Sequence, residues 1–274
     1  HTMSQSDTVP AGQGFNNSVK LDCTTADASV AAGSYMSIDH RIEAQDLQRL
    51  NWGTSSAKKL TMSFWVRSNL TGTFVLEFLH GETGVYNSNT YTIDSANTWE
   101  KKTITISGYT STAINDDNGI GLYIFWWLHS GSTYGSGTTT NDTWHSTQAN
   151  RAGSLSVDFG TSTDNEFYLT GVQLEVGEQA TAFEHEDFGT TLRKCKRYFE
   201  LLNMPVYPTA YTTAGLGNFF FTEEKRSGAT LAMTTNTGSH SIFPAAGTTT
   251  SGGYIYKSSF SGDSVGGITA DAEL

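Results

Sequence analysis

Hydrophobic and polar residues alternate with period two along most of the first two-thirds of the chain, as half-buried β-strands do. The run Leu60-Thr61-Met62-Ser63-Phe64-Trp65-Val66-Arg67-Ser68 puts Leu60, Met62, Phe64 and Val66 on one face and Trp65 and Arg67 on the other. After a Leu70-Thr71-Gly72 turn, residues 73–80 read as its hairpin partner, with Phe74, Leu76 and Phe78 toward a core and Val75, Glu77 and Leu79 turned away. Residues 99–107 form a third alternating run. Residues 121–130 are the most apolar: Leu122, Ile124, Trp126 and Leu128 oppose Tyr123, Phe125, Trp127 and His129. Residues 166–176 set Val172, Leu174 and Val176 against Gln173 and Glu175. Helical spacing is confined to residues 38–50 and 190–202, and the second stretch also reads as strand. Many short strands between Gly-, Ser-, Thr- and Asn-rich turns predict an all-β fold, a jelly-roll β-sandwich over residues 15–190.

The flanks differ from that body. Residues 1–14 read as a tag remnant, His1-Thr2-Met3, with an N-terminal extension, so the chain is expected to be cut from a longer protein. Residues 191–274 read as a short β-rich C-terminal appendage with runs at 219–222, 229–234 and 254–260. They hold too few large apolar residues for a core of their own and are expected to pack on the sandwich or on a neighbouring subunit.

Composition narrows the function. With 27 Asp+Glu against 16 Lys+Arg the net charge is −11, which repels phosphate backbones and argues against a nucleic-acid partner. No apolar run approaches the roughly 18–20 residues of a membrane span, so membrane insertion is not expected. Cys23 and Cys195 are too few for a disulfide scaffold and too isolated for a zinc site. Gly262-Asp263-Ser264-Val265-Gly266-Gly267 approaches the nucleophile loop of trypsin-like proteases, but Val265 interrupts it and too little chain follows to build a specificity pocket. His185-Glu186 opens like a zinc-protease motif, yet Gly189 stands where the second His would be. The expectation is a protein that is not an enzyme.

The run Phe167-Tyr168-Leu169-Thr170-Gly171-Val172-Gln173-Leu174-Glu175-Val176-Gly177 carries a resemblance, together with Ala180-Thr181-Ala182-Phe183-Glu184-His185 and Cys195-Lys196-Arg197-Tyr198. Upstream, Arg41-Ile42-Glu43, Trp52-Gly53-Thr54, Ser63-Phe64-Trp65-Val66 and Asn97-Thr98-Trp99-Glu100 join it, as does the terminal Thr269-Ala270-Asp271-Ala272-Glu273-Leu274. These segments resemble a module of bacteriophage tail-fibre and other virion proteins, itself similar to jelly-roll carbohydrate-binding modules. Thr191-Leu192-Arg193-Lys194-Cys195-Lys196 departs from the Glu-Leu-Ala-Leu-Cys-Gln common in the family, and the tail beyond Tyr198 is shorter than most. The resemblance implies non-catalytic binding of a polysaccharide or cell-surface glycan, host-surface recognition at a fibre tip, an extracellular place in the virion and a homo-oligomer there. It requires no cofactor and allows a structural Ca²⁺, for which Asp116-Asp117-Asn118 and the scattered Glu43, Asp158 and Glu175 are candidates.

Sugars are bound by aromatic rings that stack on C–H faces, flanked by polar groups that orient hydroxyls. Alternation assembles Trp65, Arg67, Glu77, Tyr123, Trp127, His129 and Gln173 as outward residues, and Trp144 joins them from the long loop 130–148. These eight are the candidate ligand-binding residues. The competing reading is that the tryptophans are core or are covered by loops, and that the protein is a purely structural part of a virion.

Overall fold

Ten strands in the first of two units pair into two five-stranded antiparallel sheets. They are β1 (Thr2–Ser6), β2 (Ser18–Asp22), β3 (Tyr35–Glu43), β4 (Leu60–Ser68), β5 (Gly72–His80), β6 (Tyr86–Ile93), β7 (Glu100–Ile106), β8 (Ile120–Ser130), β9 (Trp144–His145) and β10 (Glu166–Val176). The first sheet runs β1-β2-β10-β4-β7 and the second β3-β8-β5-β6-β9. Leaving aside the edge strands β1 and β9, the orders β2-β10-β4-β7 and β3-β8-β5-β6 interleave as two Greek keys, which is the jelly roll. This computed structural model describes residues 1–27, 29–202, 215–227, 229–236, 241–244, 252–257 and 265–272. No helix among the described residues is long and apolar enough to cross a membrane.

The core lies between the sheets. Met62, Phe64 and Val66 of β4 and Phe74, Leu76 and Phe78 of β5 are all buried there, with Leu122, Ile124, Trp126 and Leu128 of β8. Phe64 meets Trp126 edge-on at 5.9 Å and Tyr91 at 5.3 Å between ring centres, while Phe74 lies 5.7 Å from Phe167. The hairpin expected between residues 60–68 and 73–80 does not form, because β4 and β5 belong to opposite sheets. Each strand has a bulky inward face, and crossing from sheet to sheet lets both faces fill one core from opposite sides.

Two other local expectations are corrected. Residues 35–43 are strand, and helical geometry, of the 3₁₀ type, begins only at Ala44–Leu50. In β10, Thr170 pairs with Trp65 and Gln173 with Ser63, so Gly171 and Val172 together stand opposite Phe64. Gly171 takes φ +59°, and a Cβ there would come within 2.6 Å of the Phe15 ring, so this bulge favours glycine. The extra residue flips the alternation: Phe167 and Leu169 point inward before the bulge, Leu174 packs on the core after it, and Val172 is left exposed.

The second unit, His185–Leu274, opens with helix α2 (Phe188–Lys196), whose Asp187 side chain caps the Thr190 amide at 3.0 Å. Residues 190–202 thus divide into helix and strand, since β11 (Phe199–Leu202) follows at once. Among its described residues, six strands form two three-stranded sheets, β11 with β16 (Val265–Asp271) and β13 (Thr230–Asn236), and β12 (Gly215–Phe220) with β15 (Gly252–Lys257) and β14 (Ser241–Pro244). Among its described residues Ala229, Ala270 and Ala272 form a buried cluster flanked by Phe221 and Leu231, and Lys225 Nζ forms a buried ion pair with Glu200 Oε2 at 2.9 Å. Burial works against the Glu200 charge, but bonds from Thr222 and Lys225 outweigh it and hold the carboxyl below its ordinary value.

All six tryptophans lie in the first unit, so their fluorescence reports on the sandwich alone. Phe64→Ala removes a fully buried ring and is expected to cost about 3–5 kcal/mol in urea unfolding followed by that signal. An intact midpoint would show that the two-sheet core described here is wrong.

Candidate functional site

The second sheet turns an aromatic face outward. Cross-strand register sets Arg41 of β3, Tyr123 of β8, Leu79 of β5 and Tyr86 of β6 in one row. The next row holds Asp39, Phe125, Glu77 and Ser88, and the third Ser37, Trp127, Val75 and Thr90. The Tyr123 and Phe125 rings lie nearly parallel, 5.9 Å apart and 11° from coplanar, and both are half-buried. Arg41 places its guanidinium 5.5 Å from the Tyr123 ring centre and contacts Asp39 at 3.3 Å.

Beyond Phe125 the same face is covered. Trp127 is fully buried beneath Tyr35 and Tyr134, whose ring centres lie 5.3 and 5.6 Å away. Tyr134 belongs to the single-turn helix α1 (Ser132–Gly135), and further along the same loop Arg151 folds back over the sheet. Its guanidinium sits 4.3 Å from the Tyr86 ring centre and 5.1–5.4 Å from those of Phe125, Trp127 and Tyr134. Arg151 Nε and Nη2 donate to Glu77 Oε1 at 3.1 and 2.6 Å, and Ser88 Oγ donates to Glu77 Oε2 at 3.1 Å. Glu77 is fully buried, and burial pushes its carboxyl above the ordinary carboxylate value against the pull of Arg151. Burial likewise works against the Arg151 charge, but the Glu77 bonds prevail and raise its pKa.

The eight candidate ligand-binding residues do not share a face. Glu77, Tyr123 and Trp127 lie on the second sheet, and of these only Tyr123 is accessible; Glu77 and Trp127 are fully buried. His129 leaves that face because the β3–β8 register slips: Ser37 pairs with Trp127 but Met36 with His129, leaving Leu128 as an extra residue. His129 is therefore opposite Met36, which packs on the core, and its Nδ1 is bound by Asp158.

Trp65, Arg67 and Gln173 lie on the outward face of the other sheet, engaged in packing. Trp65 borders Gly171 beside Phe15. Arg67 donates from Nε to the Asn97 carbonyl at 3.0 Å and lies 4.9 Å from the Tyr168 ring. Gln173 accepts from the Glu184 amide at 2.8 Å and donates to Ala182 O at 3.3 Å, while Glu175 accepts from Thr181 Oγ1 at 2.6 Å. Trp144 pins its own loop, donating to Ser107 O at 2.9 Å and packing edge-on against Trp52 at 5.3 Å. Sequence reasoning placed Phe125 beside Tyr123 without treating it as a site residue, and it missed Tyr35, Arg41 and Arg151. Arg151 lies in a loop without periodicity, so no pattern pointed to it.

The oxygen ligands proposed for Ca²⁺ are not gathered: no group of three His, Cys, Asp or Glu side chains with metal-binding geometry occurs among the described residues. Asp117 caps the Gly119 amide, Asp158 binds His129, Glu175 holds Thr181, and Glu43 is buried with the Gln45 amide on it. Gly262, Asp263 and Ser264 of the protease-like sequence lie outside the described residues.

Removing Arg151 leaves a buried carboxylate without its partner. Arg151→Met is expected to cost about 3–5 kcal/mol at pH 7. The loss is expected to shrink on acidification, because a carboxyl whose folded pKa lies above its unfolded value contributes stability at low pH and loses it as pH rises. Urea unfolding of both proteins from pH 7 down to pH 4 checks the sign; a gap that widens toward acid would refute it.

No family model and no curated protein sequence matches this chain. Among solved structures it is similar to a Family 16 Carbohydrate Binding Module-2, at 10% identity and a TM-score of 0.31 over 63% of this chain and 84% of that one. A CBM4 structure is similar at 12% identity and a TM-score of 0.32, covering 64% and 77%. The enzymatically active domain of tailspike protein 4 of Bacteriophage CBA120 is similar at 12% identity and a TM-score of 0.34, covering 64% of this chain and 18% of that one. The sandwich assignment rests on the chain's own strand pairing.

Proposed function

We propose that this chain is a non-catalytic glycan-binding protein whose ligand lies on the outward face of the second sheet. The observation that carries the reading is the parallel, half-buried pair Tyr123 and Phe125 beside Arg41 and Asp39 on an open sheet face. Such rings offer flat apolar surface to the C–H face of a sugar, and the adjoining ion pair offers donors and acceptors to its hydroxyls. Trp127 is the floor beneath Tyr35 and Tyr134, and Arg151 holds that floor closed.

The ligand we favour is a neutral polysaccharide. Both arginines on the face are matched by a carboxylate of the same sheet, Arg41 by Asp39 and Arg151 by Glu77, and the chain as a whole carries −11. Among the described residues, Arg41 and Arg151 thus offer no unpaired charge on this face to a uronate or sulfate. The resemblance of residues 167–185 to virion proteins supports host-surface recognition at a phage fibre tip as the setting of this binding. There, repeated copies in a homo-oligomer would multiply a single-site affinity of about 0.1 mM, roughly −5.5 kcal/mol.

Affinity electrophoresis through gels holding neutral and acidic polysaccharides tests this. A neutral polysaccharide is expected to retard the chain, and Tyr123→Ala and Phe125→Ala each to weaken retention by about tenfold, an aromatic contact being worth on the order of 1 kcal/mol beyond its buried area. Trp65→Ala, on the opposite sheet, is expected to bind as the parent does. Retention by acidic polymers alone would refute the neutral ligand. Retention by none would favour a purely structural virion protein.

A further inference from the structure

We infer that the aromatic face receives the end of a neutral glycan chain, not an internal stretch, and that Arg151 is the residue that reads this end; the inference rests on the glycan-binding reading of the same face. The half-buried rings lie in a corner. Along β8 the outward residues run Tyr123, Phe125, Trp127; the first two are half-buried, and the third is fully buried beneath Tyr35 and Tyr134. Across the sheet, Glu77 of β5 and Ser88 and Tyr86 of β6 are buried, and the Arg151 guanidinium lies 4.3 Å from the Tyr86 ring centre. On the other side, Asp39 and Arg41 of the edge strand β3 are exposed. The platform is therefore bounded toward Trp127 and toward β6, and open toward the β3 edge. A straight chain that crosses Phe125 from that edge meets Arg151, and one that runs along β8 meets the Tyr35–Tyr134 pair.

Arg151 stands at the inner corner with donors to spare. Its Nε and Nη2 donate to Glu77, and among the described residues its Nη1 donates to nothing, which leaves two N–H groups uncommitted. The side chain is 13% exposed, and Nη1 is not shut off from solvent. The guanidinium carbon lies 5.4 Å from the Phe125 ring centre, and Nη1 is one C–N bond, about 1.3 Å, from that carbon. A sugar ring packed on Phe125 therefore has hydroxyls within reach of Nη1.

This donor is held in place before any ligand arrives. The two-nitrogen contact with Glu77 and the rings of Tyr86, Phe125, Trp127 and Tyr134 around it fix the guanidinium, so little side-chain freedom is lost on binding. Its charge is matched by Glu77, so what it offers is directed N–H groups, suited to a hydroxyl oxygen. The two kinds of sugar residue differ in that respect. An internal residue carries a glycosidic bond on both sides, whereas a terminal one has a free hydroxyl where the next bond would be. A donor at the closed corner receives that hydroxyl, and the exposed Arg41 and Asp39 flank the side from which the rest of the chain leaves.

The test is isothermal titration of the full chain with linear neutral glycans (pullulan, mixed-linkage β-glucan, mannan and galactan), each as a short fraction and one tenfold longer. For the glycan that binds, one protein is expected per glycan chain at both lengths. A number of bound proteins that rises in proportion to length overturns the chain-end inference and leaves the glycan-binding reading standing. Absence of binding by every fraction overturns that reading and this inference with it. Arg151 is tested on the short fraction by NMR of its guanidinium protons, assigned by comparison with Arg151→Lys. The Nη1 protons are expected to shift with saturation, and Arg151→Lys, which keeps a cation for Glu77 and is confirmed as folded by tryptophan fluorescence, to bind about tenfold more weakly. Bound glycan that shifts Tyr123 and Phe125 signals while the Arg151 Nη1 protons stay unmoved overturns the role of Arg151, as does undiminished binding by Arg151→Lys.

Discussion

A single buried carboxyl organises the outward face of the second sheet. Glu77 sits mid-strand in β5 with neighbours on both sides, so water cannot solvate it, and a carboxylate there is tolerable only with a partner delivered from outside the sheet. Arg151 is that partner, and meeting Glu77 from two nitrogens fixes the end of the loop that carries it. From that anchor follow the burial of Trp127, the seating of Tyr134 above it, and the half-buried state of Tyr123 and Phe125 where the loop cover thins. The ion pair need not add net stability; its consequence is to decide which part of an aromatic sheet remains open.

The strands were legible because each face of the sandwich has one solvent regime over many residues. Period two alone puts Phe64, Phe74 and Trp126 on the apolar faces of their strands, and all three are fully buried. Register and sheet membership were not legible. Nothing in residues 60–80 distinguishes a hairpin from a sheet-to-sheet crossing, since both turn the same apolar positions to the same core. The bulges at Gly171 and Leu128 were likewise invisible to strict alternation, and each inserts one residue and reverses the faces beyond it. That is why Val172 is exposed and why His129 is absent from the aromatic row.

The candidate site was half legible for a related reason. Alternation identified an outward face on each sheet, but it could not say that Trp65, Arg67 and Gln173 belong to one sheet and Tyr123 and Trp127 to the other. It also could not see what covers a face. Arg151 comes from a loop with no periodic pattern, and its importance arises from Glu77, more than seventy residues earlier in the chain.

The most recognisable sequence in the chain performs a structural task. Gln173 and Glu175 project from β10 just past the Gly171 bulge, and their side chains hold the backbone of Thr181, Ala182 and Glu184 against the sheet. Those are the residues that carry the resemblance to virion proteins, and their amide and carboxylate groups are already spent on the chain itself. A motif of this kind marks a way of closing a sandwich, since the bulge, the amide clamp and the following turn must occur together. Binding places the opposite demand on sequence, because a ligand face needs rings and polar groups with unspent capacity. The half-buried rings of Tyr123 and Phe125 are of that kind, and they stand at positions that belong to no motif.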